Sequence, residues 1–251
     1  MAEKRILTGW TEIINSVIVD FGESFVKPGP DPDFPFLDEN KYFSFSDPKN
    51  WDSDIVAIGG NLSPGMLLSA YEQGIFPWYG PEDPIIWQSP DPRCIIYPEK
   101  LHISASMQKV FKQCQFKISF NTDFSGVIRG CGETKRRNQK GTWVTNDIIE
   151  AYVEMHRLGW AHSAEAWQDE ELVGGCYGVL MGRIFCGESM FSKTANASKA
   201  AFLSLAAFLF KNNIAFIDCQ VPTKHLISLG GEAVSRNDFL ELLKKFKISR
   251  Y

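Results

Sequence analysis

The run Ile214-Ala-Phe-Ile-Asp-Cys-Gln-Val-Pro222 carries an acid and an amide two residues apart in an otherwise apolar stretch. Read as one β-strand ended by Pro222, it points Ala215, Ile217, Cys219 and Val221 one way. Ile214, Phe216, Asp218 and Gln220 point the other. A buried aspartate costs several kcal/mol unless it has partners. Asp218 therefore either satisfies backbone groups in the core or does chemistry, and the strand alone leaves both open. A second acid, Glu188, stands in Cys186-Gly-Glu-Ser-Met-Phe191, beside a glycine that lets another backbone approach. Two acids and an amide in apolar surroundings, with Trp78, Trp87 and Trp143 in rigid loops, describe a pocket for an amine with an apolar companion.

Other chemistries lack their residues. The four histidines, His102, His156, His162 and His225, include no pair at metal-ligand spacing, so no metal is expected. Gly174, Gly175 and Gly178 fall inside a strand and no Walker lysine follows, which argues against a nucleotide cofactor. No G-x-S-x-G nucleophile elbow occurs. The six cysteines are scattered without a C-x-x-C pair and read as reduced core thiols, Cys219 among them. A net charge of -4 argues against a nucleic-acid coat. The densest positive run is Glu133-Thr-Lys-Arg-Arg-Asn-Gln-Lys140. With no secretory leader and no apolar run long enough to span a bilayer, the chain is expected to be cytoplasmic and away from membranes; a monomer is expected as well.

The elements that must position these residues follow from caps and periodicity. Residues 1–50, rich in Pro and Asp around Lys27–Pro35, read as an extension wrapped on the surface, with a short element at Ile13–Val19. Residues 51–93 form the first firmly patterned stretch. In it Ser63 caps a helix with Pro64 in its first turn, Leu62 and Leu67 form a staple, and Gly74 stops the helix. From 94 to 251 the order is mixed. A strand at Cys94–Tyr97 precedes a Ser104-capped helix carrying Lys109 and Lys112, then a strand from Phe116 through Lys117 to Asn121. Phe124, Val127, Ile128 and Cys131 have helical spacing, and Thr145 caps a helix closed by Gly159. Three strands, Ala161–Gln168, Leu172–Leu180 and Ile184–Phe191, read as an antiparallel meander. The apolar helix Asn196–Asn212 feeds the Ile214 strand, which should lie inside the sheet, and a last amphipathic helix starts at Ser235. An α+β fold is expected.

Taken together, the motifs resemble a known family. In order along the chain stand Gly59-Gly-Asn-Leu-Ser-Pro64, Gly74-Ile-Phe-Pro-Trp78, Ser89-Pro-Asp-Pro-Arg93, Gly141-Thr-Trp143, Glu150-Ala-Tyr152, Ala161-His-Ser163, Leu172-Val-Gly-Gly175, Tyr177-Gly-Val179, Phe185-Cys-Gly-Glu-Ser-Met-Phe-Ser192, Asn196-Ala-Ser-Lys199 and Ile217-Asp-Cys-Gln220. They resemble the bacterial leucyl/phenylalanyl-tRNA–protein transferases over roughly residues 51 to 245. The resemblance implies transfer of Leu or Phe, with Met as a candidate third donor, from aminoacyl-tRNA to the α-amino group of proteins beginning with Arg or Lys. Such tagging marks the acceptor for degradation by the N-end rule. It also implies a smaller N-terminal α/β domain, residues 51–93, followed by a domain similar to the GNAT acetyltransferases, residues 94–251, with no acetyl-CoA and no other cofactor.

The resemblance further implies Asp218 and Gln220 as the catalytic pair, with Glu188 meeting the acceptor's cationic N-terminal residue; Asp218 either takes a proton as a base or only orients Gln220. Trp78 and Trp143 would shape the site for the tRNA 3′ end. Phe185, Met190, Cys176, Leu205 and Leu209 would line the side-chain pocket, and Lys109, Lys112 and Lys117 would touch the tRNA backbone. The chain departs from the family pattern at Gln88, where a tryptophan is common, at Cys176, where a bulky apolar residue is common, and at Leu205 and Leu209, where aromatics occur. Two alternatives stand beside this reading. One is a GNAT-like acyltransferase using acyl-CoA, which lacks its Gly-rich pyrophosphate turn in Phe191–Asn196. The other is a non-catalytic binder of tRNA or N-terminal peptides.

Overall fold

The computed structural model describes residues 27–134 and 142–248. The expected element at Ile13–Val19 and the basic residues of the 135–140 loop lie outside them.

Two sheets organise the described residues. A three-stranded antiparallel sheet of order β1-β3-β2 is made from β1 (Ile55–Ile58), β2 (Phe76–Pro77) and β3 (Ile86–Gln88). Helix α1 (Pro64–Glu72) lies between β1 and β2 in the chain. Gly74, at φ +78°, turns the chain out of α1, and a Cβ there would come within 2.6 Å of Leu240. Pro64 opens α1 as expected. Ser63, however, makes no cap bond, and its Oγ accepts from the Leu37 amide at 3.1 Å, because residues 34–45 run across this helix. The expected extension is thus tied down over its described part. Ser69 Oγ accepts from the Phe43 amide and Gln73 Oε1 from the Phe45 amide.

The second sheet has seven strands in the order β10-β4-β9-β8-β7-β6-β5. They are β4 (Arg93–Ile96), β5 (Lys117–Phe120), β6 (Ala161–Gln168), β7 (Glu171–Met181), β8 (Ile184–Ser192), β9 (Phe216–Gln220) and β10 (Glu232–Val234). The meander β6-β7-β8 is antiparallel, and β9 joins β8 in parallel through the crossover helix α5 (Ala197–Lys211). The α+β expectation holds, and β9 lies inside the sheet between β4 and β8.

Each face of this sheet is covered by its own apolar layer, because side chains alternate along every strand. Tyr177, Cys186 and Phe216 belong to a core shared with α3 (Phe124–Glu133), α4 (Asn146–Arg157) and α7 (Arg236–Phe246). That core also contains Leu67 of α1 and Trp87 of β3, so apolar packing runs without a break from residues 55–88 into the large sheet. Cys176, Phe185, Ile217 and Cys219 belong to the opposite core, shared with α5 and α2 (Ala105–Lys112). The caps expected at Ser104 and Thr145 are present and Ser235 caps the last helix, each accepting from an amide three residues on. A short helix, α6 (Lys224–Ser228), links β9 to β10.

The strand expected from Ile214 to Pro222 is shorter, at Phe216–Gln220. Ile214 and Ala215 precede it and break the expected alternation: Ile214 joins the α5 core, whereas Phe216 joins the other. The α5 exit causes this, since the Ile214 amide still bonds the Leu209 carbonyl at 3.1 Å.

Candidate active site

Two irregularities in the ladder set the site. Opposite β7, Gly178 pairs with Gly187 and Tyr177 with Ser189, so Glu188 is the extra residue of a β-bulge. Opposite β4, Ile95 pairs with Asp218 and Cys94 with Gln220, so Cys219 is extra in the same way. Bulges re-aim side chains and end regular pairing. The parallel pairing of β8 with β9 stops at Cys186 and Asp218. Beyond it the two strands carry Glu188 on one side and Gln220 on the other.

Asp218 is fully buried, and its partner is Arg93, the first residue of β4. Arg93 Nε donates to Asp218 Oδ1 at 2.8 Å and Nη2 to Oδ2 at 2.7 Å, a bidentate pair. Arg93 Nη1 donates to the Gly74 carbonyl at 3.0 Å. The guanidinium lies 4.9 Å from the Phe76 ring and 4.3 Å from the Phe239 ring. Burial works against its charge, but the neighbouring Asp218 carboxylate more than offsets this and raises its pKa. Asp218 Oδ1 also accepts from the backbone amide of Gln220 at 2.9 Å. That bond closes over Gln220 at φ +64°, a left-handed conformation that costs a non-glycine residue about 1–3 kcal/mol.

The Gln220 side chain turns to Glu188, its Nε2 donating to Oε1 at 2.9 Å. Glu188 Oε2 accepts from the Tyr152 hydroxyl at 3.3 Å, and the Tyr152 and Tyr71 hydroxyls share a short hydrogen bond. Burial pushes the Glu188 carboxyl up to about 8, so it is protonated at neutral pH. Burial likewise raises both tyrosines well above their ordinary range.

The structure thus brings together Asp218, Gln220 and Glu188, and it adds Arg93, Tyr71 and Tyr152. In the sequence, Arg93 and Tyr152 stood only inside motifs. A signal for Arg93 was present: a cation opening the apolar strand Cys94-Ile-Ile96 needs a buried anion, and Asp218 needed a cation. The expected link from Asp218 to Gln220 exists through the backbone of Gln220, while Glu188 holds its side chain. Cys219 faces the opposite core, where a bond to the Cys94 thiol and burial raise it well above the ordinary thiol range.

The residues expected to form one 3′-end and side-chain pocket fall on two faces. Cys176, Phe185, Leu205 and Leu209 are buried in the α5 core, with Met190 packed against it opposite Cys176. Trp78 and Trp143 are half-buried against the other core, on the side of the polar cluster. The division follows from strand alternation, since Phe185 and Cys186 necessarily point to opposite faces. Gln88, at the position of departure from the family pattern, donates from Nε2 to the Trp78 carbonyl at 3.0 Å and so braces the Trp78 loop. Lys109 and Lys112 on α2 and Lys117 on β5 are all exposed. A cavity of about 680 Å³, lined among others by Tyr79, Arg129, Thr142, Val144, Asn146 and Ile149, lies beside both tryptophans in sequence and includes none of the expected site residues. Among the described residues no group of three or more His, Cys, Asp or Glu is placed to hold a metal ion. No helix there is long and apolar enough to cross a membrane.

Residues 95–244 match the family model described as leucyl/phenylalanyl-tRNA protein transferase, and residues 60–91 match the model of that family's N-terminal domain. The chain belongs to this family. Curated leucyl/phenylalanyl-tRNA–protein transferases agree. That of Flavobacterium johnsoniae is 49% identical over 193 residues, covering 77% of this chain and 91% of the relative. That of Lawsonia intracellularis is 49% identical over 193 residues, 77% of this chain and 85% of the relative. That of Hahella chejuensis is 47% identical over 214 residues, 85% of this chain and 91% of the relative. Among solved structures, a GCN5-related N-acetyltransferase from Kribbella flavida is similar with a TM-score of 0.38 and 8% identity, over 69% of this chain and 62% of that one. L-PGS from Bacillus licheniformis gives a TM-score of 0.39 at 16% identity, over 53% and 48%. For a transferase of this family, the polar cluster at the end of β9 is the candidate active site.

Proposed function

We propose that this transferase moves Leu or Phe from aminoacyl-tRNA onto the α-amino group of proteins beginning with Arg or Lys, and that the chemistry takes place where β8 and β9 separate. Membership of the family supplies the reaction class, aminoacyl transfer from tRNA to protein. The observation that supports the site is Gln220, held past the end of the β8–β9 pairing by Asp218 on its backbone and Glu188 on its side chain.

The donor ester is already activated, so much of the acceleration can come from holding the amine against the carbonyl. The amine nitrogen forms a bond to the carbonyl carbon and the ester C–O bond breaks. The proton lost by nitrogen ends on the leaving ribose hydroxyl. With Nε2 engaged by Glu188, Gln220 has its Oε1 left to accept a hydrogen bond from the attacking amine. The apolar set Cys176, Phe185, Met190, Leu205 and Leu209, on the opposite face of the sheet, suits the donor side chain. Such a pocket separates near-isosteres by only about 10–200-fold per methylene. Trp78 and Trp143 serve the 3′-terminal adenosine, where a stacked base contributes about 1–3 kcal/mol. Glu188, neutral in the free protein, ionises when a cationic N-terminal residue arrives, a charge-assisted contact. Lys109, Lys112 and Lys117 meet tRNA phosphates, and the protein acts as a monomer in the cytoplasm.

Radiolabelled Leu-tRNA or Phe-tRNA incubated with an Arg-initiated peptide tests this. Label should move to that peptide and not to one beginning with Glu, with no transfer from acyl-CoA. Tight tRNA binding without transfer, or transfer from acyl-CoA, would overturn the proposal.

A further inference from the structure

We infer that Arg93 is a positioning residue for the transfer: acting through Asp218, it holds Gln220 in the conformation that presents its side-chain amide at the β8–β9 opening. The inference rests on the site proposed above and assigns a role to a residue outside the expected catalytic set.

Both Asp218 oxygens are occupied. Oδ2 takes Arg93 Nη2, and Oδ1 is shared by Arg93 Nε and the Gln220 amide. The carboxylate's charge is matched and its orientation locked, so its part in the reaction is to aim Gln220. Gln220 needs that hold, because its left-handed backbone is unfavourable for any residue but glycine or, more weakly, asparagine and aspartate. Arg93 in turn cannot move. Its side chain is 2% exposed, clasped between the Phe76 and Phe239 rings and bonded to the Gly74 carbonyl. The linkage runs from the β2 region, through Arg93 and Asp218, to Gln220 and on to Glu188. Lysine offers one compact charge and no fork, so it can match Asp218's charge but not its bidentate orientation.

Steady-state transfer to an Arg-initiated peptide, with kcat and KM expressed per folded molecule and folding followed by thermal melting, tests the role. The variants are Arg93→Lys, Arg93→Gln, Asp218→Asn and the double variant Arg93→Lys/Asp218→Asn. Arg93→Lys is expected to stay folded and lose about tenfold in kcat, with both KM values within about twofold. Arg93→Gln is expected to lose about 100-fold or more, the scale of a ~1 Å misplacement. In the Asp218→Asn background, Arg93→Lys should cause little further loss, because the two residues act as one unit. A folded Arg93→Lys with wild-type kcat, or losses that multiply independently, would overturn the inference. So would a lowered melting temperature with unchanged kcat per folded molecule, which is the mark of a purely structural role. Should Arg93→Gln fail to fold, the Lys series still decides. Wild-type protein that transfers nothing would overturn the proposed function itself, an outcome distinct from an active wild type that is indifferent to Arg93.

Discussion

Replacing Glu188 by glutamine should remove a pH dependence of stability that the wild-type protein carries. In the fold the Glu188 carboxyl is protonated up to about pH 8, against an ordinary value of 4.5, with burial as the largest cause. The folded value is raised, so the contribution is fully present below pH 4.5, where both states hold the proton. Between 4.5 and about 8 the unfolded chain releases the proton while the folded protein keeps it, and stability falls as pH rises. Above that range the loss is complete. At ~1.4 kcal/mol per tenfold change in proton affinity, the full span is on the order of 4–5 kcal/mol. Glutamine is neutral throughout. Its Oε1 can accept from Gln220 Nε2 as Glu188 Oε1 does, and its amide can donate to the Tyr152 hydroxyl, so the variant should fold. Urea unfolding at pH 5, 7 and 9 measures the difference. The stability of wild type relative to Glu188→Gln should fall across this series, steeply up to about pH 8 and little beyond. Parallel stability curves for the two proteins would refute the assignment of a neutral buried carboxyl.

Other consequences follow from the same geometry. Asp218→Ala leaves Arg93 buried without its counter-ion and should cost about 3–5 kcal/mol in denaturant unfolding, well beyond the loss of an exposed ion pair. Gln220→Gly removes the side chain but accepts the left-handed backbone freely. Transfer should collapse while thermal stability holds or rises by up to about 1 kcal/mol, and a variant that kept wild-type kcat would remove Gln220 from the mechanism. With Glu188 neutral in the free protein, KM for an Arg-initiated peptide should fall as pH rises towards 8 and then level off, and Glu188→Gln should leave only the part of this trend that the acceptor's own α-amine causes, which titrates at about 7.7–8.0. Replacing Lys109, Lys112 and Lys117 by alanine should flatten the dependence of tRNA affinity on salt by roughly one power of salt concentration for each phosphate no longer neutralised. An unchanged slope would move the tRNA-binding face elsewhere.

Much of this protein was readable before folding is considered. The meander, the apolar crossover helix, the caps at Ser104, Thr145 and Ser235, and the central place of the Phe216–Gln220 strand all follow from neighbours close in sequence. Periodicity and capping are local properties, so local reading recovers them. The motif order likewise carried the family. Asp218 and Gln220 stood out because polar groups two apart on an apolar strand are costly without a purpose.

What lay beyond the sequence is non-local. Arg93 and Asp218 are 125 positions apart, and only the pairing of β4 with β9 makes them an ion pair. The bulges at Glu188 and Cys219 belong to the register between strands, which neither strand specifies alone. Burial by residues from α1, α4 and β9 makes Glu188 a neutral acid, an outcome of desolvation that no sequence neighbour dictates. The apolar pocket residues around α5 and the polar cluster lie on opposite faces of the sheet, a separation set by which strands pair and in what register. The sequence determined which groups are present and which local elements carry them. The tertiary structure decided their protonation, orientation and partners, because these depend on the solvent excluded and the charges approached once distant segments pack.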